Sequence, residues 1–267
     1  MILSGSLHAM VNAWIKGGPD KAAGRAATDG ASALILLPAT LLVPVPWDAA
    51  GWLGASAAIH AAYLYALVRA YEVGDFSASY PVLRGVAPLA VAAVSVGVLG
   101  EPITPADLLG VALIGGSLVA MVAGRHLGRA GLGWAVLTGC MTAGYTVVDA
   151  QGVRAAPTVA SYIVWAFVLM GGLTVGMFGA ISRGAVFPAM RQRWRAGVVA
   201  GTGSIATYGL ALTAFSMGPT APLAALRETG TVTALVLSVV VLRERVAPVR
   251  ALAALGVLAG AALILVG

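Results

Sequence analysis

Ten apolar runs, most of them long enough for a membrane-spanning helix and joined by short connections, leave this chain little choice of fold. The hydrocarbon core of a bilayer takes about 20 predominantly apolar residues as a helix. The runs are Ile2–Ile15, Ala26–Val45, Gly51–Tyr71, Phe76–Leu99 and Ala106–Ala123, then Leu132–Gly152, Val159–Ile181, Ala196–Met217, Pro222–Leu242 and Val249–Val266. Charged residues make up only 10% of the chain and mean hydropathy is +0.94, whereas soluble domains carry about 25% charged residues. The runs are also far longer than the roughly ten alternating residues of a barrel strand. An all-α membrane protein with ten transmembrane helices is therefore expected. Neither the basic stretch Arg125–Arg129 between the halves nor the longest connection, Ser182–Arg195, is large enough for a soluble domain.

Five spans per half is an odd number, so the second half must enter the membrane from the opposite side. This predicts two inverted five-helix repeats, residues 1–124 and 131–267, an architecture found chiefly in transporters that place their site near the midplane where the repeats meet. A duplicated motif supports the division. Tyr80-Pro-Val-Leu-Arg84 leads to Gly100-Glu101, and Ala224-Ala-Leu-Arg227-Glu228 leads to Arg243-Glu244, with seventeen positions from arginine to acid in each copy. Gly110, Gly115 and Gly116 on the fifth span, with Gly256 and Gly260 on the tenth, provide small faces on which helix backbones approach closely.

The net charge of +6 marks topology before it marks a ligand. Lys16, Lys21, Arg25, Arg69, Arg125, Arg129, Arg183, Arg191, Arg193, Arg195, Arg243, Arg245 and Arg250 fall on one face of the expected bundle and only Arg154 on the other. By the positive-inside rule the basic face is cytoplasmic and both termini are outside. No nucleic-acid partner is implied. Cys140 stands alone in an apolar run and reads as a core residue, which excludes a disulfide framework and a cysteine metal site. The N-terminal run has no basic stretch before it and reads as a short first span, not a cleaved signal peptide. Trp47, Trp52, Trp134 and Trp194 fall near expected interfaces, where indoles anchor helices at headgroup depth.

Two arginines lie inside spans, where an ionised guanidinium costs on the order of 2.5–3.5 kcal/mol at the bilayer centre. Arg84 is about 12 Å into its helix and Arg227 about 8 Å into a helix running the other way, at 1.5 Å per residue. Both can approach one central site from opposite faces. The alternatives are that Arg227 pairs with its neighbour Glu228 or a carbonyl, and that Arg84 snorkels to an interface. A guanidinium pair suits carboxylate, phosphate or phosphonate through bidentate hydrogen bonds, so a small anionic or zwitterionic substrate is expected. Tyr80 is one turn before Arg84 on the same face, and Pro81 and Pro88 interrupt the backbone bonding around them. His8 and Asn12 share a face of the first span at i, i+4, where a polar pair points into the bundle and lines the site, with hydrogen bonding between helices as the alternative. Tyr63, His60, Tyr145 and Tyr208 are further candidates to line the site, each with a packing role as an equal alternative. Glu228 is the carboxylate clearly inside a span and Asp149 lies near the end of one; both are candidates for coupling to an ion. Glu101 and Glu244, at helix ends, read as caps or ion-pair partners.

These residues carry a family resemblance. His8-Ala-Met-Val-Asn12-Ala-Trp14-Ile-Lys16, Ser79-Tyr-Pro-Val-Leu-Arg84-Gly, Gly100-Glu101, Ala143-Gly-Tyr145-Thr-Val-Val-Asp149, Gly152-Val-Arg154, Leu226-Arg227-Glu228-Thr229 and Arg243-Glu244-Arg245 together resemble the drug/metabolite transporter superfamily, EamA type, along essentially the whole chain. The resemblance implies a transporter of the cytoplasmic (inner) membrane that alternates access between two five-helix repeats. It also implies termini in the cytoplasm, whereas the charge distribution places both outside. The partners expected are a small-molecule substrate and the lipid bilayer, with monomer and homodimer both open. No cofactor, metal or catalytic residue is expected. There is no His-Glu-x-x-His signature, and Ser204 in Gly201-Thr-Gly-Ser204 has no evident histidine partner. A lipid-handling flippase or a non-transporting membrane protein is the alternative, and it predicts tolerance of Arg84 and Arg227 replacement.

Overall fold

The computed structural model describes residues 1–15, 21–73, 76–122, 128–240 and 247–267. Their regular structure is helical: α1 (Ile2–Ile15), α2 (Lys21–Leu36), α3 (Ala50–Val73), α4 (Phe76–Gly97), α5 (Pro105–Ala120), α6 (Arg129–Ala155), α7 (Val159–Ile181), α8 (Val186–Gln192), α9 (Trp194–Met217), α10 (Thr220–Arg227), α11 (Gly230–Val240) and α12 (Pro248–Val266). Six stretches are long and apolar enough to cross a membrane among the described residues: Ser79–Gly97, α6, α7, α9, Thr220–Val240 and α12. The exterior agrees with a lipid solvent. Leu252, Leu255, Leu258 and Leu265 of α12 and Leu108 and Leu109 of α5 are exposed, a surface that water would not tolerate over such an area. Cys140, read from sequence as core, is exposed on α6, because lipid accepts a thiol on an outer face as readily as the interior does.

Local chemistry sets the helix ends. Thr104 and Asp107 close a capping box at the start of α5, and Thr158 and Ser161 close another at α7, each satisfying backbone N–H groups that a helix start leaves unpaired. Gly100, at φ +66°, turns the chain after α4 so that the Glu101 N–H reaches back to the Ser95 carbonyl at 2.8 Å; a side chain at this position would be strained. The second span is shorter than the apolar run suggests. It ends at Leu36 and gives way to 3₁₀ turns at Leu37–Leu41 and Trp47–Ala49, because Pro38, Pro44 and Pro46 remove the N–H groups that a continuing helix needs. The long connection after α7 is itself partly helical, forming α8.

The run Pro222–Leu242 does not form one continuous helix. It breaks after Arg227, and the turn is carried by short i→i−3 bonds: Glu228 N–H to Ala225 O at 2.9 Å, and Thr231 N–H to Glu228 O at 2.9 Å. Across this break Gly5 of α1 and Gly230 of α11 meet backbone to backbone, Gly5 against the Arg227 and Gly230 peptide groups. No side chain fits there on either helix.

Packing links the two halves throughout. The helix α6 packs on α3 and α4, α1 on α9 and α11, α2 on α7 and α9, and α5 on α12. The core between them is built around Tyr162, Phe215, Ile114, Leu118, Leu212, Val91 and Val257. Gly110 and Gly260 allow α5 and α12 their contact, since a methyl group on either would lie 2.7 Å from the other's carbonyl oxygen. Gly116, on the same helix as Gly110, faces open space. Overpacking of this kind costs about 1–3 kcal/mol. Gly260→Ala should therefore lower the melting temperature of the purified protein by that loss of stability, whereas Gly116→Ala should leave it unchanged.

Candidate functional site

Arg84 and Glu228 form an ion pair inside the bundle, Arg84 Nε to Glu228 Oε2 at 2.8 Å, with side chains 14% and 7% exposed. The pair joins α4 to the turn between α10 and α11, which places it where the two halves of the chain meet. Arg84 thus does not snorkel, and Glu228 turns away from its neighbour Arg227 toward the other half. The contact is held by charge more than by direction: neither Arg84 Nε nor Glu228 Oε2 has a partner in hydrogen-bonding geometry. The Tyr80 ring, one turn before Arg84, lies 5.9 Å from the guanidinium carbon, within cation–π range.

Arg227 is held differently. Its guanidinium carbon sits 5.2 Å from the centre of the Tyr208 ring, and its buried Nε has no hydrogen-bond partner. Tyr208 in turn donates its hydroxyl to Asp149 Oδ2. The other oxygen, Oδ1, accepts the Tyr162 hydroxyl at 2.7 Å. Asp149 is 1% exposed, so two tyrosine donors from α7 and α9 satisfy a carboxylate that has no access to water. Phe167 packs edge-on to Tyr208 with ring centres 6.2 Å apart.

A third group lines the α3–α6 contact. His60 stacks on Tyr145 with ring centres 3.9 Å apart, and Tyr63 meets Tyr145 edge-on at 5.6 Å. His60 Nδ1 lies 3.0 Å from the Ser56 carbonyl, an oxygen that can only accept, so the ring carries its proton on Nδ1. Tyr63 and Tyr145 lie within electrostatic reach of Arg84, and His8 of α1 lies within reach of both Arg84 and Arg227. The structure thus brings Arg84, Arg227, Glu228, Asp149, Tyr80, Tyr63, Tyr145, Tyr208 and His8 into one neighbourhood. Asn12, whose side chain lies outside the described residues, cannot be placed with them. Tyr162 and Ser56 escaped the sequence reading. Tyr162 is thirteen positions from Asp149 on the next helix, and its only sequence signal is a polar tip in an apolar run.

One end of the bundle carries a second charged cluster. Arg154, at the end of α6, donates Nη1 to Glu101 Oε1 at 2.5 Å, Nε to Phe215 O at 2.9 Å and Nη2 to Gly218 O at 2.6 Å. Glu101 also accepts the Thr220 N–H at 2.8 Å and the Thr220 hydroxyl at 2.9 Å. A carboxylate here caps the start of α10, where unpaired N–H groups and the helix dipole favour negative charge. The capping and ion-pairing role read for Glu101 is what the structure has, and it ties the α4–α5 turn to α6 and α10. Its second-half counterpart, Glu244, lies outside the described residues. Among the described residues no three His, Cys, Asp or Glu side chains come together as a metal site.

Burial disfavours the Glu101 carboxylate, but Arg154 and the two Thr220 donors outweigh it and hold the carboxyl below the usual glutamate range. A depressed folded-state pKa contributes stability that is fully present above the unfolded value, about 4.3, and is lost as pH falls through the folded value. Melting of the purified protein between about pH 6 and pH 3 should show this loss in the wild type. In Glu101→Gln the curve should start lower and lose that part of its slope.

An apolar exterior around the Arg84–Glu228 pair and the hydrogen-bonded Asp149 defines a multi-pass membrane protein with polar groups inside its bundle. Residues 129–266, 138 of the 267 in the chain, match the family model of the EamA-like transporter family, and the chain belongs to that family. The resemblance read from the motifs is thereby established. A solved crystal structure, described only as that of a protein, is similar over 98% of this chain and 92% of its own, with a TM-score of 0.74 and 19% sequence identity. At that identity the likeness is one of fold. No curated protein matches the sequence.

Proposed function

We propose that this chain moves a small anionic or zwitterionic metabolite across the cytoplasmic membrane, by alternating access between two inverted five-helix repeats. The observation that carries the reading is the pair of partly buried arginines, Arg84 from the first half and Arg227 from the second, drawn into one neighbourhood with Glu228 at the junction of the halves. Arg84 already has a carboxylate on it, whereas Arg227 keeps a buried N–H without an acceptor. A substrate oxyanion would find its first free donor on Arg227 and its second on Arg84. The tyrosines and His60 would form the walls against which the rest of the molecule packs.

The packing pattern supports the repeats. Exchanging the halves takes α1 to α6, α2 to α7, α3 to α9, α4 to the α10–α11 pair and α5 to α12. Under that exchange the contacts of α1 with α9 and α11 become those of α6 with α3 and α4, and the α2–α9 contact becomes α7–α3. The α2–α7 and α5–α12 contacts map onto themselves. Such a pattern lets one repeat rock against the other about a fixed centre. The repeats take residues 1–124 and 131–267, and the span of the family match falls almost wholly on the second. With the basic face in the cytoplasm, the Glu101–Arg154–Thr220 cluster lies on the outer side.

A thermal-stabilisation screen of the purified protein against small anions, amino acids and phosphonates tests the reading. Anionic or zwitterionic compounds should raise the melting temperature, and Arg84→Ala and Arg227→Ala should each weaken the apparent affinity by at least about tenfold, the loss of one charge-assisted hydrogen bond. Stabilisation by neutral or cationic compounds, unchanged in both variants, would show the reading to be wrong.

A further inference from the structure

Adding an anion to the centre raises a question of charge. Arg84 and Arg227 are balanced there by Glu228 and Asp149, the two acids buried and the two arginines partly so. An extra negative charge with no compensating cation would be buried in a low-dielectric interior at a cost that a single hydrogen bond does not offset. Something must leave or something positive must enter. Asp149 is poorly placed to answer, since both its oxygens are taken by tyrosine hydroxyls. Glu228 is placed differently: its Oε2 touches Arg84 at 2.8 Å but has no hydrogen bond of good geometry. It also sits in the break between α10 and α11, where i→i−3 bonds hold its backbone in a turn that aims the side chain at Arg84.

We propose that the substrate anion takes the place of Glu228 on Arg84, and that the released Glu228 carboxylate accepts one proton, so that each anion crosses together with one proton. This rests on the anion-site reading above and adds its coupling. The exchange balances: one negative charge and one proton enter, Glu228 becomes a neutral carboxylic acid, no covalent bond other than the new O–H forms, and the net charge of the centre is unchanged. Departure of the anion reverses it, the proton returning to water as Glu228 re-forms its pair with Arg84.

The groups that face Glu228 fit this assignment. Arg84 meets Glu228 from α4 and Arg227 adjoins it in sequence; around those two arginines lie Tyr80 of α4 on Arg84, Tyr208 of α9 on Arg227 with Asp149 of α6 behind it, Tyr145 of α6 within reach of Arg84, and His8 of α1 within reach of both. The charged residues of α5 and α12 are Asp107, engaged in its own capping box, and Arg250 in the first turn of α12. Of the two carboxylates, Glu228 alone is in contact with an arginine that a substrate would have to displace it from.

Proton uptake on binding tests the exchange. Purified protein in weakly buffered solution with a pH-indicator dye would receive one of three monoanions, acetate, methanesulfonate or monomethyl methylphosphonate, with each signal corrected for the anion's own protonation. The wild type should take up close to one proton per anion bound at neutral pH, and its apparent affinity should weaken by up to tenfold per unit rise in pH. Glu228→Gln should bind without uptake and without that pH dependence. Should Glu228→Gln fail to fold, Glu228→Asp, which keeps an ionisable group, should retain the uptake. Anions that bind the wild type with no proton taken up leave the anion site standing and overturn the exchange alone. Uptake that persists in Glu228→Gln but vanishes in Asp149→Asn assigns the proton to Asp149 and also overturns it. If none of the three anions binds, the anion-site reading fails and the exchange fails with it.

Discussion

A charge inside a hydrocarbon slab has to find an opposite charge, and in this protein the partner comes from the other half of the chain. The Arg84–Glu228 pair is the constraint to which much of the surrounding structure answers. Arg84 can stay ionised at depth only because the turn after α10 delivers a carboxylate to it. That turn exists because the helix is interrupted after Arg227, and the interruption is stable because Gly5 and Gly230 let the neighbouring backbones close over it. A continuous helix through Glu228 would aim the acid along a different direction, and a larger residue at either glycine would hold the helices apart. The charge, the break and the small residues are thus one arrangement.

The second arginine shows what the same environment does without a dedicated acid in contact. Arg227 lies over the Tyr208 ring, whose face attracts its charge, and the hydroxyl of Tyr208 is hydrogen-bonded to Asp149. Cation–π contacts of this sort gain strength when desolvated. The centre is therefore near electroneutral but unevenly satisfied, with Asp149 fully hydrogen-bonded and buried Nε atoms on both arginines without acceptors in good geometry. A structural ion-pair network would be expected to close those donors. Leaving them open is costly, and in the proposed transporter the open donors are what a substrate uses.

How much of this was legible beforehand follows from the range of the interactions involved. Apolar run length is a local property, and α1, α7 and α12 begin and end within a few residues of the runs that announced them. Where local rules competed, the outcome was less apparent: Pro38, Pro44 and Pro46 cut the second run short at Leu36, and the ninth run was divided at Glu228–Thr229 with only Gly230 and a cluster of threonines to signal it. Arg84 and Arg227 stood out because charge in an apolar run is rare. Their partners did not, since Glu228 has Arg227 as its sequence neighbour and Arg84 as its spatial one. The Glu101–Arg154 contact was closer to legible, because both residues end helices that, in the ten-span reading, finish on the same side, and Arg154 was the lone basic residue there.

The account depends most on the claim that Arg84 and Glu228 answer one another across the two halves, and a double-mutant cycle in thermal or denaturant unfolding measures that directly. Removing one partner of a buried pair strands the other, at about 3–5 kcal/mol, whereas removing both leaves no charge behind. Arg84→Met and Glu228→Gln should each destabilise the protein strongly, and the double variant should lose far less than the sum of the two. Additive losses would contradict the account, because they would mean that each residue is balanced by something else.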